Sequence, residues 1–220
     1  MTAGTKRIRR SKEQSQRHIL DAAEALLVEG GPAAVNVRAV AAAAGITDAG
    51  INHHFGNRDQ LLEALLRHGG RRLKKDLLAV ISDWQPDTVP DDVSIEQLVD
   101  AVYDLYATTR YADLALALHQ SGWRDADDGI LAPVVDALHR LRCRHFKAAD
   151  APEPSRLNTQ FAVGVLHQAL ALDPVFGTEF QRSAGTPKPS ELAGDAKKAW
   201  WRTAFKALML DPACAVTLPD

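Results

Sequence analysis

The chain has 220 residues, 46% of them hydrophobic and 25% charged, with a formal net charge of −2. That length supports one large domain or a small one joined to a larger one, and the apolar content is ordinary for a soluble globular protein. The two cysteines, Cys143 and Cys214, form no metal-ligand pair, no signal peptide is visible, and no apolar run approaches the roughly 20 residues that cross a bilayer. A reducing cytoplasm is therefore the expected compartment, and no membrane partner is expected.

The net charge hides an asymmetry. Residues 1–75 hold 13 Lys/Arg against 7 Asp/Glu, whereas residues 76–220 hold 13 against 21, giving +6 and −8. A basic first third on an acidic remainder points to a local anion-binding surface, with nucleic acid the leading candidate.

Residues 1–14 read as a flexible basic arm carrying Lys6, Arg7, Arg9, Arg10 and Lys12. A first helix is expected from about Ser15, where Ile19, Ala22, Ala23, Leu26 and Leu27 recur at spacings of three and four. Glu29-Gly30-Gly31-Pro32 stops it. Asn36 caps a short second helix with Val37, Val40, Ala41 and Ala44 on its inner face, and Gly45 supplies the positive φ that turns the chain. Thr47 caps a third helix through Phe55. Asn57, with Gln60 as its capping partner, starts a fourth that Leu61, Leu62, Leu65, Leu66, Leu73, Leu77 and Ile81 carry to about Asp83.

A loop from Trp84 to Val93 follows. Helical spacing resumes over Ser94–Thr109, Ala112–Gly122 and Ile130–Ala149. Residues 150–155 link to a helix over Ser155–Leu172, with a kinked extension past Pro174 left open. After an irregular loop at 183–190, a last helix is expected over Leu192–Leu210, and residues 213–220 form a polar tail. With no period-two stretch, the fold class is all-α, about nine helices: a three-helix helix-turn-helix unit over 15–60 and a larger helical domain over 61–212.

Residues 36–56, NVRAVAAAAGITDAGINHHFG, contain helix, glycine turn and short second helix, the helix-turn-helix arrangement. A major groove about 12 Å wide accepts one such helix while the preceding one braces it. Ile46, Ile51 and Phe55 are expected to pin the second helix to the core, leaving Thr47, Asp48, Asn52 and His53 facing outward.

Several ordered blocks make the resemblance specific: Ile19-Leu20-Asp21-Ala22-Ala23, then Val37, Ala41 and Ala44-Gly45-Ile46-Thr47, then His53-His54-Phe55, Arg58 and Leu61-Leu62. Over residues 15–66 the chain resembles the DNA-binding domain of TetR-family repressors. It departs from that pattern at Asn52, where a Tyr is usual, at Asp48, where Lys is frequent, and at Gly50, often a Thr. These departures bear on the operator sequence rather than the binding mode.

The resemblance implies double-stranded DNA as partner. His54 and Arg58 are then backbone phosphate contacts, the latter at a helix N-terminus that itself favours phosphate. Asn52 and His53 reach base edges, Asn suiting adenine. Asp48 would repel phosphate or accept from a cytosine amino group, Arg38 reaches a base, and Lys6, Arg7, Arg9 and Arg10 enter the minor groove or rest on phosphates. Adjacent helical histidines point about 100° apart, so His53 and His54 do not chelate a metal together. No metal, cofactor or catalytic motif is read from the sequence.

The resemblance also implies a homodimer, with Ser155–Leu172 and Leu192–Leu210 as the interface. Candidates there are Gly164, Val165, Trp200, Trp201, Phe205 and Leu208. Two adjacent tryptophans cannot both face one core, so at least one is expected against a partner. It further implies a largely apolar small-molecule ligand between the central helices, with Tyr103, Tyr106, His119, Trp123, Phe161 and His167 as candidates. An activator or a ligand-independent regulator would use the same DNA-binding domain. A helical ligand-binding protein or enzyme without DNA function is the remaining alternative.

Overall fold

The computed structural model describes residues 11–82, 92–124, 129–187 and 195–215. The arm residues Lys6, Arg7, Arg9 and Arg10, the loop after the fourth helix and the extreme C-terminus lie outside these. All regular structure among the described residues is helical. The helices are α1 (Lys12–Ala34), α2 (Val37–Ala44), α3 (Asp48–Phe55), α4 (Arg58–Ser82), α5 (Asp92–Thr108), α6 (Tyr111–Gln120), α7 (Ala132–Ala148), α8 (Arg156–Leu172), α9 (Thr178–Ser183) and α10 (Ala196–Leu210). A π turn over Asp173–Gly177 joins α8 to α9, so the two form one interrupted rod and, among the described residues, the expected nine helices result.

The ends show where local chemistry prevails over periodicity. Helix α1 begins at Lys12 rather than Ser15, because Ser11 and Gln14 form a reciprocal capping box. Gly31, at φ 70°, breaks it as expected, but Pro32 opens one more short turn, to Ala34, because proline suits a first helical turn. Asn36, Thr47 and Asn57 all cap as read, accepting from the amides of Ala39, Gly50 and Gln60 at 2.9, 3.1 and 2.9 Å.

The chain divides into two units, residues 1–69 with 113–124, and 70–112 with 125–220. The division falls inside α4 and inside α6. In the first unit α1 packs on α2 and α2 on α3, around buried Ile19, Leu27, Val40, Ile51, Leu61 and Leu65. Phe55 is half-buried, and Ile46, expected to pin α3, is exposed instead, because it sits in the turn before the helix rather than on its inner face.

The second unit is built round a core from α4, α5, α7, α8 and α10, including Leu77, Leu98, Val102, Leu138, Leu166 and Phe205. Fully buried Arg142 on α7 holds three of these helices together. Its Nε donates to the Met209 carbonyl, Nη1 to Thr159 Oγ1 and Nη2 to Asn158 Oδ1, each at 2.8 Å. All three acceptors are uncharged. The compensating negative charge is partial and comes from the C-terminal carbonyls of α10, where Met209 stands in the last turn. The Phe146 ring lies 5.6 Å from the guanidinium carbon. Nearer the start of α10, Arg202 grips Asp100 through two bonds of 2.8 and 2.7 Å and Lys198 grips Asp104 at 2.9 and 3.0 Å, tying α10 to α5.

Pro174 does not end the helical run. The π turn accommodates the missing amide, and Asp173, nearly buried, pairs with Lys197 at 2.6 Å. Gly177 is required beside it, since a Cβ there would lie 2.3 Å from the Asp173 carboxylate. As a result Arg156–Ser183 forms a 28-residue run that is long and apolar enough to cross a membrane by length and composition. The sequence reading found no such run and left open a kinked extension past Pro174, which the structure bears out. Much of this run's apolar face is exposed.

Arg142→Ala is expected to lower unfolding free energy by about 3–5 kcal/mol, leaving three buried acceptors unpaired beside a cavity. Arg142→Met, which fills the space, is expected to cost about 1–3 kcal/mol. Urea midpoints compare the two, and equal midpoints for wild type and Arg142→Ala would remove the clamp. His139 on α7 is held below its ordinary value of 6.5 by burial, then by Arg142 and Arg156, with Asp136 and Glu153 opposing. The unfolded chain thus takes up a proton that the folded one resists. Stability is expected to be fully present above pH 6.5 and to fall as pH decreases through it, less steeply in His139→Gln, as thermal melts across pH would register.

Candidate nucleic-acid interface

Helix α3 is a short rod fixed at both ends. Gly45, at φ 66°, turns the chain out of α2, and its amide bonds back to Ala42. Thr47 caps the start, and Gly56, at φ 86°, closes the end. Ile51 anchors the inner side at full burial. With that side fixed, Thr47, Asp48, Asn52 and His53 are exposed, as the helical period requires. Arg38 is exposed on the first turn of α2.

Two braces behind α3 were not legible in the sequence. Gln16 Nε2 donates to the His54 carbonyl at 3.4 Å, and His18 Nε2 meets the Ala44 carbonyl at 3.1 Å, so α1 holds the ends of both α2 and α3. Both are polar residues that precede Ile19, the first apolar residue of the stripe, so no apolar period marks them.

His54 is half-buried. Its pKa is held below 6.5 by burial first, then by His53 and by Lys12. The ring is therefore neutral at pH 7, and its Nδ1 is buried with no hydrogen-bond partner among the described residues. Lys12, read as the last basic residue of the arm, is instead the first residue of α1 and stands near enough to His54 to act on it.

Arg58 sits otherwise than a free phosphate contact would. Its Nε donates to the Val35 carbonyl at 3.0 Å and its Nη2 to the Pro32 carbonyl at 2.8 Å. It ties the start of α4 to the connection between α1 and α2, with Nη1 remaining outward, 3.9 Å from Asp59. Gly50 has room for a methyl group, since a Cβ would meet Ile46 and Thr47 at ordinary contact distance. Nothing in the fold itself demands glycine there.

The candidate ligand residues scatter. In the second unit a small cavity of about 40 Å³ lies among α4, α5, α7, α8 and α10, and among the described residues His167 is its one polar wall residue. Tyr106 on α5 meets His167 Nε2 at 2.6 Å. Tyr103 packs at the edge of the core with Lys198 5.8 Å from its ring. Phe161, 59% exposed, points outward from α8, and His119 is exposed and Trp123 half-buried in the first unit.

The candidate interface residues divide in the same way. Gly164, Val165 and Trp200, the last 62% exposed, face outward. Trp201 is half-buried with its indole N–H unpaired among the described residues, while Phe205 is buried in the cavity wall and Leu208 packs on the core. The two tryptophan rings meet edge to face at 4.9 Å. A groove of about 470 Å³ runs along this surface, lined by Val165, Leu172, Phe176, Phe180, Trp200 and Trp201.

Residues 19–65 match the family model of bacterial regulatory proteins of the tetR family. The HTH-type transcriptional regulator BetI of Brucella canis is 38% identical over 164 residues, covering 63% of this chain and 83% of that protein. BetI of Brucella anthropi is 26% identical over 183 residues, covering 71% and 92%. The crystal structure of AibR in complex with isovaleryl coenzyme A and operator DNA superposes with a TM-score of 0.54 at 17% identity, covering 90% of this chain and 99% of that one. The capped α3, its exposed outer face and these relatives agree: the chain belongs to the TetR family and is a transcriptional regulator.

Proposed function

We propose that this regulator is a cytoplasmic homodimeric repressor that binds a palindromic operator and is released from it by a small, largely apolar ligand. The observation that carries the DNA half is the outer face of α3, where Thr47, Asp48, Asn52 and His53 stand exposed on a helix fixed at both ends. Asn52 suits adenine and Asp48 accepts from cytosine, so this reading head differs from one that carries Tyr and Lys there. His54 and the outward Nη1 of Arg58 supply phosphate contacts at the margin, with the basic arm beyond Lys12.

The exposed apolar run of α8 and α9, with Trp200 beside it, supports dimerisation rather than a membrane span, because the same rod contributes Val163, Leu166 and Leu170 to the core. Two copies joined there place two recognition helices on half-sites about 34–36 Å apart or a related spacing. Ligand release follows from linkage. A ligand that prefers another arrangement of the dimer lowers DNA affinity by its differential binding energy, typically about 1–3 kcal/mol. Helix α4 is the lever, since it carries Leu61 and Leu65 in one unit and Leu73 and Leu77 in the other. AibR, of like fold, is described with both a ligand and operator DNA.

The deciding experiment is an anisotropy titration of the full chain against the DNA flanking its own gene, at two salt concentrations. Specific binding with a steep salt slope is expected; weak binding to every sequence alike would sink the operator reading. Asn52→Ala and His53→Ala are each expected to weaken specific binding by about 1–3 kcal/mol and to relax sequence preference. Gly50→Ala is expected to fold at least as stably as wild type, gaining up to about 1 kcal/mol of helix propensity. A loss of DNA affinity in that variant identifies Gly50 as a point of close backbone approach. Trp200→Glu is expected to raise the dimer dissociation constant by about 30-fold or more, as sedimentation measures, and an unchanged constant would place the interface elsewhere.

A further inference from the structure

The second unit holds a cavity whose chemistry is unusually uniform. Leu77, Val102, Leu138, Leu166 and Phe205 come to it from five different helices, and no charged side chain among the described residues lines it. Among those residues His167 is the single polar group in the wall, and its Nε2 is engaged by the Tyr106 hydroxyl at 2.6 Å. The rings lie 5.7 Å apart between centroids, one on α5 and one on α8. This hydrogen bond is thus a polar latch between two helices at the edge of an apolar space.

From this latch and its lining we infer that the ligand is an uncharged, mostly apolar molecule bearing one hydrogen-bonding oxygen, which it inserts between Tyr106 and His167. The inference rests on the proposed ligand-released reading and specifies its ligand class.

The donor and acceptor inventory supports this class. Burial pushes the Tyr106 phenol up to about 12 and holds the His167 imidazole below its ordinary range, so both are neutral at pH 7. A neutral pair offers one hydroxyl proton and one ring nitrogen that accepts or donates according to its tautomer, and so serves a hydroxyl in either tautomer and a carbonyl oxygen when Nε2 carries the proton. A carboxylate would arrive stripped of water among leucines, with no cation in the wall to receive it, a cost of several kcal/mol. Size gives the coupling. A cavity of about 40 Å³ accommodates little more than water. A ligand with a ring or a short chain must therefore part the Tyr106–His167 bond and open the space between α5 and α8. Leu77, in the same wall, belongs to α4.

The test uses three probes of one skeleton, benzyl alcohol, toluene and benzoate, titrated calorimetrically into the full chain at pH 7.5. Benzyl alcohol is expected to bind about tenfold more tightly than toluene, the worth of one hydrogen bond, and benzoate not at all. In Tyr106→Phe, whose melting temperature is checked alongside, the preference of alcohol over toluene is expected to collapse to within about twofold. A merely structural role for Tyr106 would weaken both probes and keep their ratio. Benzoate binding as tightly as benzyl alcohol, or an unchanged ratio in Tyr106→Phe, overturns the inferred ligand class and leaves the ligand-released reading standing. Failure of all three probes, in protein that still binds its flanking DNA, overturns both the inference and ligand release through this cavity.

Discussion

A cation whose described partners are all uncharged stands at the junction of α7, α8 and α10. Arg142 is held by a carbonyl, a hydroxyl and an amide, one from α10 and two from α8. Such a group cannot slide, because each neighbour that it left would remain buried and unpaired. The relative position of α8 and α10 is thereby fixed, and both surfaces of functional interest in this unit derive from it. Facing inward, the pair supplies Leu166, His167 and Phe205 to the cavity. Facing outward, it supplies Val165, Trp200 and Trp201 to the groove. One clamp therefore registers the cavity wall against the groove.

The same logic operates in the first unit with weaker parts. There α3 is too short to be stable alone, and it persists because a cap, a positive-φ glycine, one buried isoleucine and two long-range bonds from α1 act together. Apart from Thr47, which supplies the cap, its outer residues stand exposed and take no part in those anchors. They are free to vary, which fits a reading head bearing Asp48 and Asn52 on a backbone that its relatives share.

How much of this was legible in the sequence depended on the range of the interaction. Caps at Asn36, Thr47 and Asn57 were legible because a side chain and an amide three residues on decide them. The true start at Lys12 was equally local, but Ser11 lay among charges and no apolar period marked it. Roles set by tertiary contact were not legible. Arg58 reads as a surface cation, yet its partners are carbonyls 23 and 26 residues away. Phe161 and Phe205 are both aromatic residues on apolar helices, and only packing sends one outward and one into the core. The Tyr106–His167 pair joins positions 61 residues apart, so each could be nominated alone but not as a couple.

The π turn at Asp173–Gly177 acts on the surface that follows it. A wider turn delays the helical phase, so that Phe176 and Phe180 join the stripe begun by Val165 and Leu172. Such a turn is the structural trace of one added residue in an otherwise regular helix. Deleting a residue there would return the rod to ordinary pitch and rotate Phe180 about 100° away, with the core half of α8 untouched. In the dimer proposed above, a single-codon insertion or loss at this point would re-aim the pairing stripe while leaving the fold and the cavity as they are.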